Sequence, residues 1–533
     1  MMNAVARKEL LNHLASFRFW AGALLALVLA VSSTRVAAED YNLRLRAYRE
    51  RLASGEKALG AVSVYSYLHP LAVRPPEPLS ALDPGFDARL GTEVVIHLFA
   101  VPAEATGERR GNELSASSPP VGLTAVVSVV LGLLALLLTC DAVTCEVEDG
   151  TLRAVFANGV SRRAVLAGKY LGSLAAILLP LAGGLLASLA TFRLSVGTPL
   201  TIDQWLRVAG MAGAYGVYLS LMLLLGLLIS VHARGSAQAL GVSVLVWFAL
   251  TILVPAMAFS TAGDLVPSER VERSVQRRIA ELTAGYESRL AARRRSAPLL
   301  AAVSGHTAMA FTSGEHHAVR YRHGSSLYYD ALAGYSRFET ASGLRYAGEV
   351  FALHRRYEAR LREGERLGTA LAALSPAFLL DRLSESFAGV SAADHDRFLA
   401  ACRRYRLDFL AWLERRGALG SWRWFSDDPP GRLLPWPLYL GRSPEEVDPA
   451  EVSRLFNQLN EPAMQDRVRR DQESVGRDPS RRLRLEDMPR FSYHPPGFAG
   501  ALSRGALEAA ALLLLNAAAA TAVWVRFRRL ELA

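Results

Sequence analysis

Four long stretches of the chain carry no charged residue. A helix needs about 20 mostly apolar residues to cross a hydrocarbon core about 30 Å thick, and each stretch is close to that length or longer. The pattern therefore predicts four membrane-spanning helices. They are Val121–Thr139, Tyr170–Thr191, Val208–Val231 and Gln238–Ser260.

Two shorter apolar stretches lie near the ends of the chain, at Phe19–Ser33 and Ala509–Val525. The first has two interpretations. It follows Arg7 and Lys8 and precedes small residues, as the apolar region of a signal peptide does. However, Asn3–Arg18 is long for a signal-peptide start and has an amphipathic pattern, which favours an interfacial helix followed by a first span.

The distribution of basic residues predicts the orientation of six spans. Arginine and lysine cluster at 7–18, 153–169 and 526–529, within short segments that would share one side of the membrane. Because short cytosolic loops are enriched in these residues, we expect both termini in the cytosol and the chain in the inner (plasma) membrane.

The predicted fold class is an all-α polytopic membrane protein. It has six transmembrane helices, an N-terminal interfacial helix and a large, mostly helical extracytoplasmic domain. The predicted layout is an interfacial helix at 1–18, spans at 19–34, 121–139, 170–191, 208–231, 238–260 and 509–525, extracytoplasmic segments at 35–120 and 264–503, and a cytosolic coupling loop at 140–169.

Local patterns predict structure within the extracytoplasmic segments. The first contains a predicted helix at Tyr41–Lys57 and a strand-like run at Thr92–Val101. The second contains predicted helices at Ser268–Arg295, Leu344–Leu374, Ala392–Arg416 and Pro449–Leu459, with Pro-rich loops at Trp422–Pro437 and Pro489–Pro496.

The net charge of +10 at pH 7 comes almost wholly from arginine, since Lys8, Lys57 and Lys169 are the three lysines among 60 basic residues. The short cytosolic segments concentrate about half of that charge. Arg293–Arg295, the densest basic run of the large segment, closes a helical pattern, whereas nucleic-acid binding needs a longer basic face with aromatic residues beside it. Nucleic acid is therefore not a predicted partner.

The loop 140–169 carries the most specific pattern in the chain. Glu146 and Glu148 precede Gly150, an amphipathic turn follows, and Ser161 is placed to cap the next helix. A short helix of this kind is suited to dock in a groove of another protein. The alternative is a loop that merely holds the basic residues of the cytosolic side.

Three short motifs follow one another in this loop: E-x-E-x-G-T-L-R at Glu146–Arg153, V-S-R at Val160–Arg162 and G-K-Y-L-G at Gly168–Gly172. Together they resemble the loop between spans two and three of ABC-2-type transporter permeases. The proline-dense stretch Arg74–Ser80 resembles the subgroup described as permeases associated with multicopper enzyme maturation.

This resemblance implies a coupling helix, a dimer of permeases and two ABC ATPase subunits. The residues that it assigns to ATPase coupling are Glu146, Glu148, Gly150, Thr151, Leu152, Arg153, Val155, Phe156, Arg162 and Lys169. Of these, we expect Leu152, Val155 and Phe156 to seat in the ATPase groove. The sequence has no G-x-x-x-x-G-K-[ST] loop, so we expect no cofactor in this chain, with ATP and Mg²⁺ bound by the partner ATPase.

The sequence gives only weak signals for a metal-binding or catalytic site. His306, His316, His317 and His323 are irregularly spaced in a polar stretch, which favours an exposed loop over a metal site. The three cysteines lack zinc-ligand spacing, and no catalytic constellation distinguishes itself from surface charge. We therefore expect neither a catalytic nor a metal-binding site.

The leading hypothesis is a permease subunit of an ATP-driven transporter that exports a substrate or extracts it from the cytosol or inner leaflet. Its expected partners are an ABC ATPase, a second permease copy or paralogue, and membrane lipid. The alternative is a membrane-anchored mechanotransmission or scaffold protein, whose large external domain binds an envelope partner.

Overall fold

A computed structural model describes residues 2–85, 91–106, 122–265, 268–296, 308–313, 316–321, 326–425 and 482–529, and the single positions 462, 466 and 470. Six helices of this part are long and apolar enough to cross a membrane. They confirm the predicted fold class. They are α2 (Phe17–Ala61), α3 (Leu123–Glu148), α5 (Arg162–Val196), α6 (Ile202–His232), α7 (Ser236–Leu265) and α13 (Ala506–Arg528).

The remaining helices and strands are shorter or polar. They are α1 (Met2–Ala15), β1 (Leu71–Val73), β2 (Glu93–Val95), α4 (Thr151–Ala157), α8 (Ser268–Arg295), β3 (Ala308–Ser313), β4 (His316–Tyr321), α9 (Ser326–Ala372), α10 (Pro376–Ala388), α11 (Ala392–Arg415) and α12 (Phe498–Arg504). We call the end of the bundle that carries α1 and α4 the loop end, and the opposite end the domain end.

Helix α1 is separated from α2 by a single residue. Ser16 has extended backbone, and its hydroxyl accepts a hydrogen bond from the Phe19 amide, which caps α2. From there α2 runs without interruption to Ala61. The separate helix predicted at Tyr41–Lys57 is therefore the continuation of the first span, because nothing in 34–41 breaks the helical backbone.

Helix α6 lies at the centre of the bundle, packed against α3, α5 and α13. Its Tyr215 and Tyr218 are fully buried. The Tyr218 hydroxyl donates to the Ser128 carbonyl at 2.8 Å, within a π-helical segment at Val126–Leu131. A π-helical turn disturbs the regular backbone ladder, and the tyrosine gives one of its carbonyls a partner.

Helix α10 packs against several of the spanning helices. The Ser375 hydroxyl, at its N-terminus, donates to the Leu250 carbonyl halfway along α7, and Phe378 packs against Phe259 with ring centroids 5.7 Å apart. The predicted layout placed the whole of 264–503 outside the membrane. In the structure α10 packs against the spanning helices α6, α7 and α13, and its placement outside the membrane stays a prediction.

A buried polar cluster fixes α10 to the first connecting segment. Thr124 donates to the Asp83 carboxylate at 2.6 Å, and Ser384 donates to the same oxygen. Burial raises the pKa of the Asp83 carboxyl above its ordinary value. The cluster thus joins α3, α10 and the segment after β1 at the domain end.

The domain end carries a second hydrophobic core of its own. It forms where the antiparallel pair β1–β2, with Leu71 opposite Val95, packs against α11. Leu68, Ile96 and Phe409 are fully buried there. Both the strand-like run at Thr92–Val101 and the helix at Ala392–Arg416 therefore correspond to observed elements, although the strand is shorter.

Helices α8 and α9 pack together beside this core, with Tyr286 stacked on Tyr346 at 4.8 Å. Between them β3 and β4 form an antiparallel hairpin that places His316 opposite Ser313. The predicted loop at His316 and His317 is therefore a strand. His306 and His323, the helix predicted at Pro449–Leu459 and most of the loop at Trp422–Pro437 lie outside the described residues.

Candidate coupling site at the loop end

The loop 140–169 contains the end of α3, the short helix α4 and the start of α5, joined by two tight turns. Helix α3 ends at Glu148, and Gly150 adopts a positive φ of 68° before α4 begins at Thr151. A residue with a Cβ is strained in this conformation, which explains the glycine. A second reversal at Gly159 leads to Ser161, whose hydroxyl accepts from the Ala164 amide and caps α5, as predicted.

Leu152 anchors α4 to the bundle. Its side chain is fully buried, in a cluster that includes Val165 of α5, Leu227 of α6 and Phe527 of α13. Val155 and Phe156 pack against the same cluster and are half-buried. We expected these three side chains to seat in the ATPase. Leu152 instead faces the bundle, because the reversal at Gly150 turns the apolar face of α4 inward.

Arg162 connects the start of α5 to the end of α13. Its guanidinium donates to the carbonyls of Phe527 at 3.0 Å and Arg528 at 3.1 Å. These groups belong to the last turn of α13, where the carbonyls have no partner within the helix. The guanidinium also lies 5.4 Å from the Phe156 ring centroid. Arg162 therefore fixes α4, α5 and α13 relative to one another.

An ionic cluster joins the loop to the N-terminal helix. The Lys169 ammonium is 2.7 Å from a Glu9 carboxylate oxygen and 3.0 Å from one of Glu146, while Lys8 reaches the same Glu146 oxygen at 2.9 Å. Lys169 is 1% exposed. The hydrogen bond to Glu146 raises the pKa of Lys8 above its ordinary value. We call these four residues the lysine–glutamate cluster.

Two of the three lysines of the chain belong to this cluster. An ammonium is a compact charge with three donors, whereas a guanidinium is a broad planar fork. The buried site between the Glu9 and Glu146 carboxylates holds a single nitrogen, so it fits a lysine and is too small for an arginine guanidinium. Almost all other basic residues of the chain are arginines, so the positions of the few lysines could have pointed to the cluster from the sequence.

Two glycines of the G-K-Y-L-G motif explain how α1 comes close enough. A Cβ at Gly168 would lie 2.7 Å from the Val5 side chain, and one at Gly172 would lie 2.8 Å from the Glu9 Cβ. Small residues four apart on a helix allow a second helix to approach closely. Lys169 follows the first glycine and extends to Glu9.

We expect Gly172→Leu to push α1 away from α5. Overpacking a close contact costs about 1–3 kcal/mol, and here it also separates Lys169 from Glu9. Disulfide trapping between cysteines introduced at exposed α1 and α5 positions would measure the separation, with cross-linking expected to fall about tenfold. Gly183→Leu is the matched control, because a Cβ at this position on α5 meets no atom within 4 Å. Equal cross-linking in both variants would contradict the role of Gly172.

Glu148 ties the loop to the start of α7. Its carboxylate accepts from the Ser236 amide at 3.1 Å and from the Ser236 hydroxyl. The anion therefore sits at the N-terminus of α7, where unpaired amides and the helix dipole stabilise negative charge. The two glutamates of the E-x-E motif thus bind different elements. Glu146 binds the N-terminal helix α1, and Glu148 binds the fifth span, α7.

The residues predicted for coupling divide into a buried set and an exposed set. Leu152 and Lys169 are buried, and Glu146, Val155, Phe156 and Arg162 are half-buried. The exposed set comprises Glu148, Gly150, Thr151 and Arg153, together with Val147, Ala154 and Ala157, which the sequence did not single out. The exposed set belongs to the surface of the loop that another protein can reach, which also includes Cys145, Asp149, Asn158, Gly159, Ser161 and Arg163. Lys8 and Glu9 also contact this loop, although no motif in the sequence assigns them to it.

Comparison with known proteins places these features in a family. Residues 3–291, more than half of the chain, match the family described as ABC-2 family transporter protein. Residues 337–494 match a domain of unknown function, DUF3526. The match to ABC-2 transporters covers α1, the coupling loop and the first five spans.

The chain is also similar to the probable ABC transporter permease protein NosY of Pseudomonas aeruginosa. The two are 27% identical over 177 residues, which cover 31% of this chain and 61% of that relative. The similarity agrees with the family match and with the resemblance recognised in the loop motifs. The chain belongs to the ABC-2 family of transporter proteins and is a multi-pass membrane protein.

Proposed function

We propose that this chain is the membrane-spanning permease subunit of an ATP-driven transporter, lying in the inner membrane with both termini in the cytosol. The observation that carries the proposal is the construction of the loop end. Helix α4 is anchored by Leu152 and braced by Arg162, and Thr151 and Arg153 remain exposed. The adjoining end of α3 is linked to α1 through Glu146 and Lys8. A partner that moves the exposed face would move four elements of the bundle together.

The motor in this proposal is a separate ABC ATPase that binds ATP and Mg²⁺, with the permease acting as a dimer or beside a paralogue. The sequence lacks the phosphate-binding loop that ATP hydrolysis by this chain would need. The cycle begins with ATP-driven closure of the ATPases. Helix α4 follows, and its anchors and the adjoining end of α3 transmit the displacement to α1, α5, α6 and α13. The spans then rearrange, and the substrate leaves toward the outside.

The exposed face of α4 supplies the test. Arg153→Glu reverses an exposed charge and should weaken ATPase binding about tenfold, because charge complementarity contributes to docking. Binding and stimulated hydrolysis would be measured with the purified ATPase and the full permease in nanodiscs. Arg193→Glu, an exposed arginine near the other end of α5, is the control. Equal ATPase binding by the two variants would contradict docking at α4.

The second hydrophobic core favours an alternative that shares the same motor. The β1–β2 pair and α11 form a folded unit at the domain end, large enough to bind an envelope partner. In that case ATP-driven motion would act on the partner and no substrate would cross. Transport in proteoliposomes distinguishes the two functions. ATP-dependent accumulation of a substrate supports the permease, and its absence with an identified envelope partner supports mechanotransmission.

A further inference from the structure

A groove of about 760 Å³ runs along the surface of the bundle between α5, α6 and α13. Its walls extend from Arg163 to Leu178 on α5 and from Trp524 to Leu513 on α13. At 1.5 Å per residue these walls are about 16–22 Å long, similar to one leaflet of a hydrocarbon core about 30 Å thick. The volume is within the range of small-ligand sites.

Small residues line the floor of the groove and leave space above it. A Cβ at Gly213 or Gly216 would meet no atom within 4 Å, and Ala517 and Ala520 face the same space from α13. The groove therefore results from missing side-chain volume on two adjacent helices. Gly213, Ala517 and Ala520 are exposed, so the groove opens on the outer surface of the bundle, which would face lipid under the proposed topology.

Polar groups in the middle of the groove already have partners. The Tyr170 hydroxyl is 2.8 Å from that of Ser220, which donates to the Asn516 side-chain oxygen at 2.7 Å. The Asn516 amide donates in turn to the Val217 carbonyl at 3.0 Å. These groups do not require a polar ligand, so the middle of the groove suits an apolar chain.

The end of the groove at the loop end differs from its middle, because it carries an exposed cation. The Arg163 guanidinium is exposed and lies 5.3 Å from the Trp524 ring centroid. Tryptophan is typical of the level of lipid headgroups, and arginine binds phosphate with paired N–H donors. A basic residue above an apolar slot complements an anionic lipid in both charge and shape.

We propose that this groove binds one anionic glycerophospholipid from the leaflet at the loop end, with an acyl chain along α6 and the phosphate on Arg163. Under the proposed topology that is the cytosolic leaflet. The proposal does not depend on an ATPase or on transport.

The same lipid would brace the coupling loop. Leu166, Leu227 and Val523 line the groove, and they also belong to the cluster that holds Leu152. An acyl chain in the groove would therefore pack on the outer side of that cluster.

Native mass spectrometry tests the site. The full chain is purified in mild detergent and mixed with phosphatidylglycerol or phosphatidylcholine. We expect one phosphatidylglycerol per chain, with about tenfold preference over phosphatidylcholine. Ala517→Trp and Gly216→Phe should each lower retention about tenfold. Their controls are Ala518→Trp and Gly183→Phe, which add the same bulk at exposed positions that do not line the groove.

The headgroup contact is tested separately. Arg163→Gln should abolish the preference for phosphatidylglycerol, whereas Arg526→Gln, an exposed arginine outside the groove, should retain it. Equal lipid retention in filled and control variants overturns the site. An unchanged preference in Arg163→Gln overturns the headgroup assignment, and displacement of the lipid by inorganic phosphate would show a phosphate site instead.

Discussion

Lys169→Met should destabilise the loop end by about 3 kcal/mol, because removing one partner of a buried ion pair leaves the other charge uncompensated. In this case the Glu9 carboxylate would lose its ammonium partner at 2.7 Å and face Glu146, which would lose Lys169 at 3.0 Å and keep Lys8 alone at 2.9 Å. The free energy of unfolding would be measured by SDS titration of the purified chain in lipid–detergent micelles. With the ATPase bound, stimulated hydrolysis should fall at least tenfold.

The third lysine of the chain is the matched control. Lys57 is exposed near the end of α2, and Lys57→Met should change the free energy of unfolding by no more than about 0.5 kcal/mol. Adding Glu9→Gln to Lys169→Met should recover part of the loss, because one of the two facing charges disappears. If Lys169→Met is as stable as Lys57→Met, the lysine–glutamate cluster is not a structural anchor.

Leu152→Ala should release α4 from the bundle. Truncating a fully buried leucine costs about 2–5 kcal/mol, and α4 is too short to remain ordered without its tertiary contacts. Hydrogen exchange measured by mass spectrometry should show loss of protection across 151–157, while the spans keep theirs. Stimulated ATPase activity should fall about tenfold, since the exposed face of α4 would no longer be held in place.

Two variants separate anchoring from contact with the ATPase. Val147→Ala truncates a side chain that is 45% exposed on the same loop and should leave exchange unchanged. Arg153→Glu should also leave exchange unchanged while weakening ATPase binding. Full protection of α4 in Leu152→Ala would show that the Leu152 cluster does not anchor it.

The spans and the loop reversals could be predicted from the sequence because their signals are local. Hydrophobic length identifies a span, and Gly150 and Gly159 mark positions where the backbone needs a positive φ. The cap at Ser161 is likewise read from a few adjacent residues. These features depend on short segments and not on which distant segments meet.

The lysine–glutamate cluster and the burial of Leu152 depend on contacts between distant parts of the chain. Lys169 and Glu9 are 160 residues apart, and hydropathy does not reveal that α1 lies against α5. An amphipathic helix can present its apolar face to its own bundle or to a partner, and periodicity does not distinguish these cases. The contacts of α10 with the spanning helices could not be predicted for a related reason, since Asp381 and Arg382 make its sequence resemble a soluble helix.

The unbroken length of α2 has a mechanical consequence. A helix of 45 residues is about 68 Å long, so it extends from the loop end well beyond the hydrocarbon core. Near its far end Glu56 pairs with Arg490 at 2.7 Å, in the domain-end unit. As a lever of about 68 Å, α2 would convert a tilt of about 5° into a displacement of roughly 6 Å at its tip. A small movement at the lysine–glutamate cluster that tilts α2 would then produce a larger displacement of the domain-end unit.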